Sequence, residues 1–274
     1  MVADHWSGTA MGKGGVALGA GPERVDYAPR ASWADDWGVL KAMWFAQHDA
    51  TGEAGAHQTR LENFYKSQAE LYDGYRHRML HGRKPMIENM PAPSGGTWLD
   101  LGGGTGSNLE YFGPNLDHFA RVTVLDLTPS LVAVAKDRVA RNGWSNVQVI
   151  CGDATDPSTP GLPPAGSVDV VTISYALTMI PEWRKAVANA KRLLKRGGHL
   201  CVCDFTVDPG TQSRLMQAVF TKVFATDHVH LSAEHVRFLQ GEFNERLLLR
   251  QYGSFPYVPG IIKSAYYVFI GQKK

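Results

Sequence analysis

The sequence predicts a doubly wound α/β sheet with a helical extension at its N-terminus. A short apolar strand at residues 97–101 runs into a glycine-rich turn, and further apolar strands follow at 121–126, 147–154, 167–175 and 199–205. Helical stretches at 131–142 and 183–194 separate these strands. Such alternation is typical of a parallel sheet that helices cover on both faces.

The turn after the first strand carries glycines at alternate positions, Gly102, Gly104 and Gly106. Glycine allows a sharp turn and lets a ligand approach where a Cβ would stand in the way. A turn that leads from a strand into a helix is the usual cradle of a nucleotide in folds of this kind. The sequence therefore predicts a ligand site here, with the first turns of a helix from Ser107 onward.

Acidic residues end the next two strands. Asp126 closes the second strand about 20 residues beyond the last glycine, which is where a ribose-binding carboxylate belongs. Asp153 and Ala154 close the third strand, and the fourth strand is β-branched enough for burial on both faces. The remaining chain predicts helices at 213–226 and 233–240 and a closing hairpin of strands at 246–252 and 265–271 on the sheet edge.

The net charge, the cysteine count and the lengths of the apolar runs exclude several classes of function. The 274 residues carry a net charge of +2 without a dense basic block, which argues against a nucleic-acid surface. Three cysteines are too few for a disulfide framework and indicate a reducing, cytoplasmic compartment. Cys201 and Cys203 alternate along one strand face with no partner cluster, so no metal site is expected. No apolar run reaches the length of a membrane span, and contact with a membrane surface stays open.

The chain divides into residues 1–58, a leader with a helical extension, and a domain over residues 59–274. Residues 1–30 are glycine-rich without periodicity, which predicts a poorly ordered leader. Trp33, Trp37 and Trp44 then lie on one face of a predicted helix. That face would dock on the domain or lie in a membrane interface.

Four motifs occur together and in order: Asp100-x-Gly102-x-Gly104-x-Gly106, Asp126, Asp153-Ala154, and Arg196-Gly197-Gly198 before the fifth strand. With these motifs, residues 61–274 resemble a class I S-adenosylmethionine-dependent methyltransferase. The resemblance implies a Rossmann-like sheet of seven strands, the last inserted antiparallel, and S-adenosylmethionine as the cofactor.

The resemblance also implies the role of each motif. The backbone of residues 102–106 would hold the amino-acid portion of the cofactor, Asp126 both ribose hydroxyls, and Asp153 the adenine amino group. A carboxylate suits the ribose because it accepts two hydrogen bonds at once. The expected cofactor-binding residues are Arg76, Asp100, Gly102, Gly104, Gly106, Asp126, Leu127, Asp153, Ala154 and Ser174.

A narrower resemblance lies outside these motifs. Residues 60–73, 76 and 80–83, together with the tail at 253–259 and 266–271, resemble the methyltransferase part of betaine-lipid synthases. This implies trimethylation of the amine of diacylglyceryl-homoserine, a lipid headgroup. The chain departs from the fused form by lacking a second domain, so a soluble amine or hydroxyl of a small metabolite is the alternative acceptor.

Methylation of an amine depends more on aligning the nitrogen, the methyl group and the sulfur than on acid–base catalysis. An α-amino group has a pKa of about 8, so about a tenth is neutral at pH 7 without a strong base. Ring faces would stabilise the growing ammonium charge. The candidate catalytic residues are Tyr72, Tyr75, Tyr175, His228 and Tyr257, and Tyr266 is a further candidate ring.

Charged side chains near these rings add to the predicted site. Arg76 or Arg83 would bind an acceptor carboxylate with a bidentate fork, or else the methionine carboxylate of the cofactor. Asp204 ends the fifth strand at the edge where ligands of open α/β sheets lie.

Two other classes remain. A nicotinamide-dependent oxidoreductase would use a Rossmann sheet, but its Gly-x-Gly-x-x-Gly spacing is absent from this turn. A catalytically silent cofactor-binding subunit would carry the same motifs without turnover.

Overall fold

The computed structural model describes residues 22–25, 27, 58, 59, 61, 62, 73, 77, 79–207, 231–254 and 263–274. Within these residues seven strands form a single sheet. They are β1 (Thr97–Leu101), β2 (Arg121–Asp126), β3 (Val147–Cys151), β4 (Val168–Ser174), β5 (Leu194–Phe205), β6 (Phe243–Ser254) and β7 (Lys263–Lys273). The described helices are α1 (Arg83–Asn89), α2 (Pro129–Asn142), α3 (Trp183–Leu193) and α4 (Glu234–Glu242).

The strand order is β3-β2-β1-β4-β5-β7-β6. Strands β1 to β5 pair in parallel, whereas β7 runs antiparallel between β5 and β6. The chain therefore reverses its direction of winding at β1 and β4, which places a crevice above the carboxyl ends of these strands. This order confirms the predicted doubly wound, methyltransferase-type sheet with its last strand inserted.

Both faces of the sheet are buried, as the run of β-branched residues predicted. Along β5, Cys201 and Cys203 belong to one apolar core, whereas Leu200 and Val202 belong to the core on the opposite face. Both cysteines are fully buried and unpaired. Among the described residues no cluster of histidine, cysteine and acidic side chains has the geometry of a metal site.

A helix begins at Ser107, as predicted, but it is a short 3-10 helix. The chain there forms two 3-10 helices, Ser107–Tyr111 and Gly113–His118, and no continuous α-helix. Gly113 adopts a φ of 49°, and Pro114 follows it without an N–H to donate. These two residues interrupt any continuous helix.

Helix α3 also ends earlier than the sequence indicated. It stops at Leu193, and Leu194 is already extended, with a backbone register opposite Val168. The Arg196-Gly197-Gly198 motif therefore lies inside β5, next to a register shift in its pairing with β4. Gly197 and Gly198 therefore belong to β5 and do not cap the C-terminus of α3.

Part of the predicted leader packs on the domain. The Arg24 guanidinium lies 4.4 Å from the centre of the Phe112 ring and donates to the carbonyl of Met90 at 3.1 Å. The Val25 N–H donates to the Tyr111 carbonyl at 2.7 Å. The expectation of poor order therefore fails for residues 22–25 and 27. The predicted helices at 33–44 and 213–226 lie outside the described residues.

In the described part of the chain, no helix has both the length and the apolarity needed to cross a membrane.

Candidate active site

A cavity of about 280 Å³ opens above the carboxyl ends of the central strands. The segments that follow β1, β2, β3 and β4 all contribute to its wall, which is the usual ligand position in an open α/β sheet. The lining residues are Leu61, Leu80, Arg83, 102–105, Ser107, Leu125, Asp126, Leu127, Thr128, Leu131, 152–155, 174–176, Met179, Ile180, Pro181 and Glu182.

Asp126 lies at the centre of this wall. One of its carboxylate oxygens accepts the N–H of Gly104 and the other the N–H of Thr128, both at 2.9 Å. Burial raises the pKa of Asp126 above its usual value, and the hydrogen bonds from Thr128 and Gly104 only partly oppose this effect. The Thr128 hydroxyl and the Leu127 N–H also donate to Asp126, so a ligand's hydroxyls would share or replace these donors.

The glycine turn has the backbone that the sequence predicted. Gly102 adopts a φ of 66°, and a Cβ added to it would lie 2.5 Å from the Cβ of Ala176. Gly104 has a φ of 55°, but a Cβ there would meet nothing closer than Leu131, at 3.9 Å. Gly102 is therefore needed for close packing, whereas Gly104 faces open space that a ligand can fill.

The other predicted cofactor residues at the strand ends also line the cavity: Leu127, Asp153, Ala154 and Ser174. The Asp153 carboxylate accepts the Thr155 N–H at 2.7 Å, which fixes its orientation in the turn. The Asn189 side chain of α3 donates to the Ala154 carbonyl at 2.9 Å and anchors the same turn from below.

Asp100 and Gly106 do not line the cavity. Asp100 is fully buried and accepts hydrogen bonds from Thr172 at 2.6 Å and from the Asn108 amide at 3.0 Å. Burial, only partly offset by these two bonds, raises the pKa of Asp100 to about 6. Asp100 therefore supports the glycine turn from beneath instead of contacting a ligand, which corrects the expected role.

Arg83 is one of the two arginines that the sequence offered for a carboxylate, and it reaches the cavity. It is buried at the start of α1 and lines the cavity beside the glycine turn. Its Nε donates to the Asn108 Oδ1 at 2.9 Å, and Nη2 donates to Asn108 and to the Ser107 hydroxyl. These neutral partners hold the guanidinium in place, and its charge partly opposes the effect of burial on the pKa of the nearby Asp100.

Tyr175 is the predicted catalytic residue that the structure brings to the cavity. It is the non-glycine residue with a positive φ, 53°, in the described part of the chain. Its hydroxyl donates to the His81 carbonyl, and its ring packs edge-on against Phe205 with centroids 4.6 Å apart. Burial raises the pKa of Tyr175 well above its usual range, so the phenol stays protonated at neutral pH.

Other predicted acceptor-side residues lie elsewhere or outside the described residues. Asp204 is fully buried and bound by the Thr178 hydroxyl at 2.7 Å, so it does not face the cavity. Tyr266 lies outside the cavity and donates to Gln251 at 2.7 Å. The residues Tyr72, Tyr75, Arg76, His228 and Tyr257 fall outside the described part of the chain.

The described wall of the cavity has more acidic than basic side chains, which suits a ligand with a net positive charge. Asp126, Asp153 and Glu182 contribute three carboxylates to the wall, against the single described cation Arg83. S-adenosylmethionine carries a sulfonium, an ammonium and a carboxylate, so its net charge complements this wall. The open face of Gly104, the Asp126 carboxylate and the Arg83 guanidinium fit this cofactor.

The strand order and the position of the cavity match the seven-stranded fold of class I methyltransferases. Residues 99–202 match the family model described as "Methyltransferase domain".

The curated relatives are named as C-methyltransferases. The ubiquinone/menaquinone biosynthesis C-methyltransferase UbiE of Hydrogenovibrio crunogenus is 31% identical over 153 residues, covering 54% of this chain and 59% of the relative. UbiE of Vibrio parahaemolyticus is 32% identical over 155 residues, covering 54% and 58%. The chain thus spans less than two thirds of the length of these relatives.

Solved structures share the fold. An S-adenosylmethionine-dependent methyltransferase from Aquifex aeolicus superposes with a TM-score of 0.55 at 17% identity, covering 76% of this chain and 98% of that one. Geranyl diphosphate methyltransferase, in complex with GPP and sinefungin, gives a TM-score of 0.57 at 14% identity, covering 85% and 98%.

Proposed function

We propose that the protein is an S-adenosylmethionine-dependent N-methyltransferase that acts on the amine of diacylglyceryl-homoserine. The observation that carries the methyltransferase assignment is the convergence of Asp126, Asp153 and Arg83 on one cavity around the glycine turn. In this proposal Asp126 accepts the ribose hydroxyls, Asp153 accepts the adenine amino group, and Arg83 pairs with the methionine carboxylate. The bound cofactor supplies a methyl group on a sulfonium centre.

An amine acceptor is supported by the kinds of side chain that the described part of the wall carries. Among these residues there is no histidine, lysine or cysteine, and the carboxylates are those of Asp126, Asp153 and Glu182. Tyr175 cannot act as a base at neutral pH because its phenol is held as a donor to the His81 carbonyl. An amine that binds in its neutral form needs no base, and the Tyr175 ring would stabilise the ammonium charge that develops.

A quinone-type ring carbon is the second candidate acceptor. It is favoured by the relatives named as C-methyltransferases of ubiquinone and menaquinone biosynthesis. The apolar part of the wall, which includes Leu61, Leu80 and Met179, would suit either such a ring or the glycerol end of a lipid headgroup.

A lipid substrate requires the protein to work at a membrane surface. We propose a cytoplasmic protein with peripheral membrane contact, for which the tryptophan-rich stretch at residues 33–44 is the candidate. Vesicle sedimentation of the full chain, compared with a chain in which Trp33, Trp37 and Trp44 are replaced by Gln, tests this contact. Equal sedimentation of the two chains would contradict the proposed membrane contact of residues 33–44.

The acceptor is tested with S-adenosylmethionine labelled in its methyl group. The purified full chain is incubated with vesicles containing diacylglyceryl-homoserine, with a demethylated quinol, and with free homoserine as the soluble amine. The proposal predicts label in the extracted lipid, as one to three methyl groups per headgroup. Label only in the quinol would favour the second candidate, and label only in homoserine would contradict the lipid assignment.

Tyr175→Phe refines the acceptor test. The variant keeps the ring but loses the bond to the His81 carbonyl, so we expect the KM for the acceptor to rise about tenfold. The KM for S-adenosylmethionine should stay within about twofold, because none of the proposed cofactor contacts uses the phenol. Equal increases in both KM values would place Tyr175 in the cofactor site instead.

A further inference from the structure

Two carboxylates hold the glycine turn. Asp126 accepts the backbone N–H of Gly104 at 2.9 Å. Asp73 accepts the hydroxyl of the next residue, Thr105, at 2.6 Å. Thr105 is 2% exposed and lines the cavity, so the conformation of the turn depends on both partners.

Asp73 is itself anchored to helix α2. Its second carboxylate oxygen accepts a hydrogen bond from the Arg138 guanidinium, whose Nε lies 3.3 Å from the Glu110 carboxylate. The side chains of Arg138 and Asp73 are 9% and 13% exposed. An ion pair this well shielded is screened little by salt, and it fixes the position of the carboxylate that receives Thr105.

Two other described residues upstream of Asp73, Gln58 and Glu62, contact the segment that follows β2. The Gln58 amide donates to the Leu127 carbonyl at 3.0 Å, next to Asp126. The Ser130 N–H, in the first turn of α2, donates to the Glu62 carboxylate at 3.0 Å. Leu61, which is buried, lines the cavity between these two contacts. Residues upstream of the 99–202 family match therefore contact both loops that would hold the cofactor.

We propose that Asp73 is a positioning residue for the cofactor: it acts through the Thr105 hydroxyl and holds the glycine turn in its ligand-binding conformation. The inference rests on the proposed S-adenosylmethionine site and extends it upstream of the matched domain. A loop that is already ordered loses less conformational freedom when the ligand binds. Removing either end of the Asp73–Thr105 bond therefore weakens binding without removing a contact to the ligand's adenine or ribose.

The test is calorimetric titration of the full chain with S-adenosylhomocysteine. Asp73→Ala removes the acceptor of the Thr105 hydroxyl, and Thr105→Val removes the hydroxyl while leaving the ion pair with Arg138 intact. Each should weaken binding about tenfold. Because both act through one bond, the double variant should be no weaker than about tenfold. Thr105→Ser keeps the hydroxyl and should restore near wild-type affinity.

Asp137→Asn is the matched control. It removes an ion pair with Arg141 on the same helix, but both side chains are about two thirds exposed, at 66% and 65%. Its affinity should equal that of the wild type. Wild-type affinity in Asp73→Ala or in Thr105→Val, or additive losses in the double variant, would overturn the inference alone. Failure of the wild-type chain to bind S-adenosylhomocysteine would overturn the proposed function and this inference with it.

Discussion

The carboxylate of Asp126 accepts a hydrogen bond of 2.9 Å from the backbone N–H of Gly104. This bond joins the end of β2 to the turn after β1, so the two motifs recognised in the sequence form one unit in space. It stabilises the turn at a residue with a φ of 55°. The acid that is proposed to bind the ribose thus also shapes the turn that is proposed to hold the rest of the cofactor.

Replacing Arg83 should affect only ligands that carry a carboxylate. Arg83→Lys keeps the positive charge but loses the fork that Asn108 and Ser107 hold in place. We expect about tenfold weaker binding of S-adenosylhomocysteine and unchanged binding of adenosine, which lacks the amino-acid portion. Calorimetry with both ligands measures the two values. An equal loss for both would mean that Arg83 supports the fold and does not recognise the carboxylate.

Two neighbouring tyrosines of β7 should respond oppositely to loss of their hydroxyls. Tyr267 is fully buried and its hydroxyl has no hydrogen-bond partner in the described part of the chain, whereas Tyr266 donates to Gln251 at 2.7 Å. Tyr267→Phe should raise the free energy of unfolding by about 1 kcal/mol, because it removes an unsatisfied polar group. Tyr266→Phe should lower it by about 1 kcal/mol. Urea unfolding measures both, and a clear loss in Tyr267→Phe would show that its hydroxyl is satisfied.

His235 should make the protein less stable in mild acid. Its ring packs 4.5 Å from Trp183, and burial, with a smaller contribution from Arg184, lowers the pKa of His235 to about 4. A lowered pKa in the folded state means that stability is full above the unfolded value of about 6.5 and is lost as the pH falls toward 4. From pH 7 to pH 5, the wild type should therefore lose about 2 kcal/mol that His235→Leu does not lose.

The comparison with His235→Leu isolates this histidine from other buried groups. Burial raises the pKa values of Asp100 and Asp204 to about 6, which gives stability the opposite slope between pH 6 and 4. Both acids are present in the two proteins, so their effect cancels in the difference. Parallel pH curves for wild type and variant would show that His235 titrates normally.

The sheet and the strand-end residues were predictable because their signals are local. Each strand is a short apolar run, and Gly102, Gly104 and Asp126 follow the strands that position them. A helix start at Ser107 was predictable too, but its 3-10 form and the break at Gly113 and Pro114 depend on backbone geometry that the turn pattern does not encode. The spacing of the glycines and Asp126 therefore predicted the residues of the cavity wall better than it predicted the type of helix that follows the turn.

Burial and long-range contacts were harder to predict. Asp100 and Asp204 both end or lie in strands like Asp126, yet their carboxylates turn into the core and pair with Thr172 and Thr178. The Asp73 bond to Thr105 joins residues 32 apart in sequence, which no periodicity reveals. Arg83 was considered only for its charge, and its place beside the turn depends on how α1 packs against the 3-10 helix at Ser107–Tyr111.

The central claim, that this cavity binds S-adenosylmethionine, is tested most directly by titrating S-adenosylhomocysteine into wild-type protein and Asp126→Ala. The account predicts binding at one site in the wild type and at least a hundredfold weaker binding in Asp126→Ala, since two hydrogen bonds to a charged group are lost. Asp156→Ala, which removes an exposed turn carboxylate, should bind like the wild type. Unchanged affinity in Asp126→Ala, or wild-type binding of NAD in preference to S-adenosylhomocysteine, would contradict it.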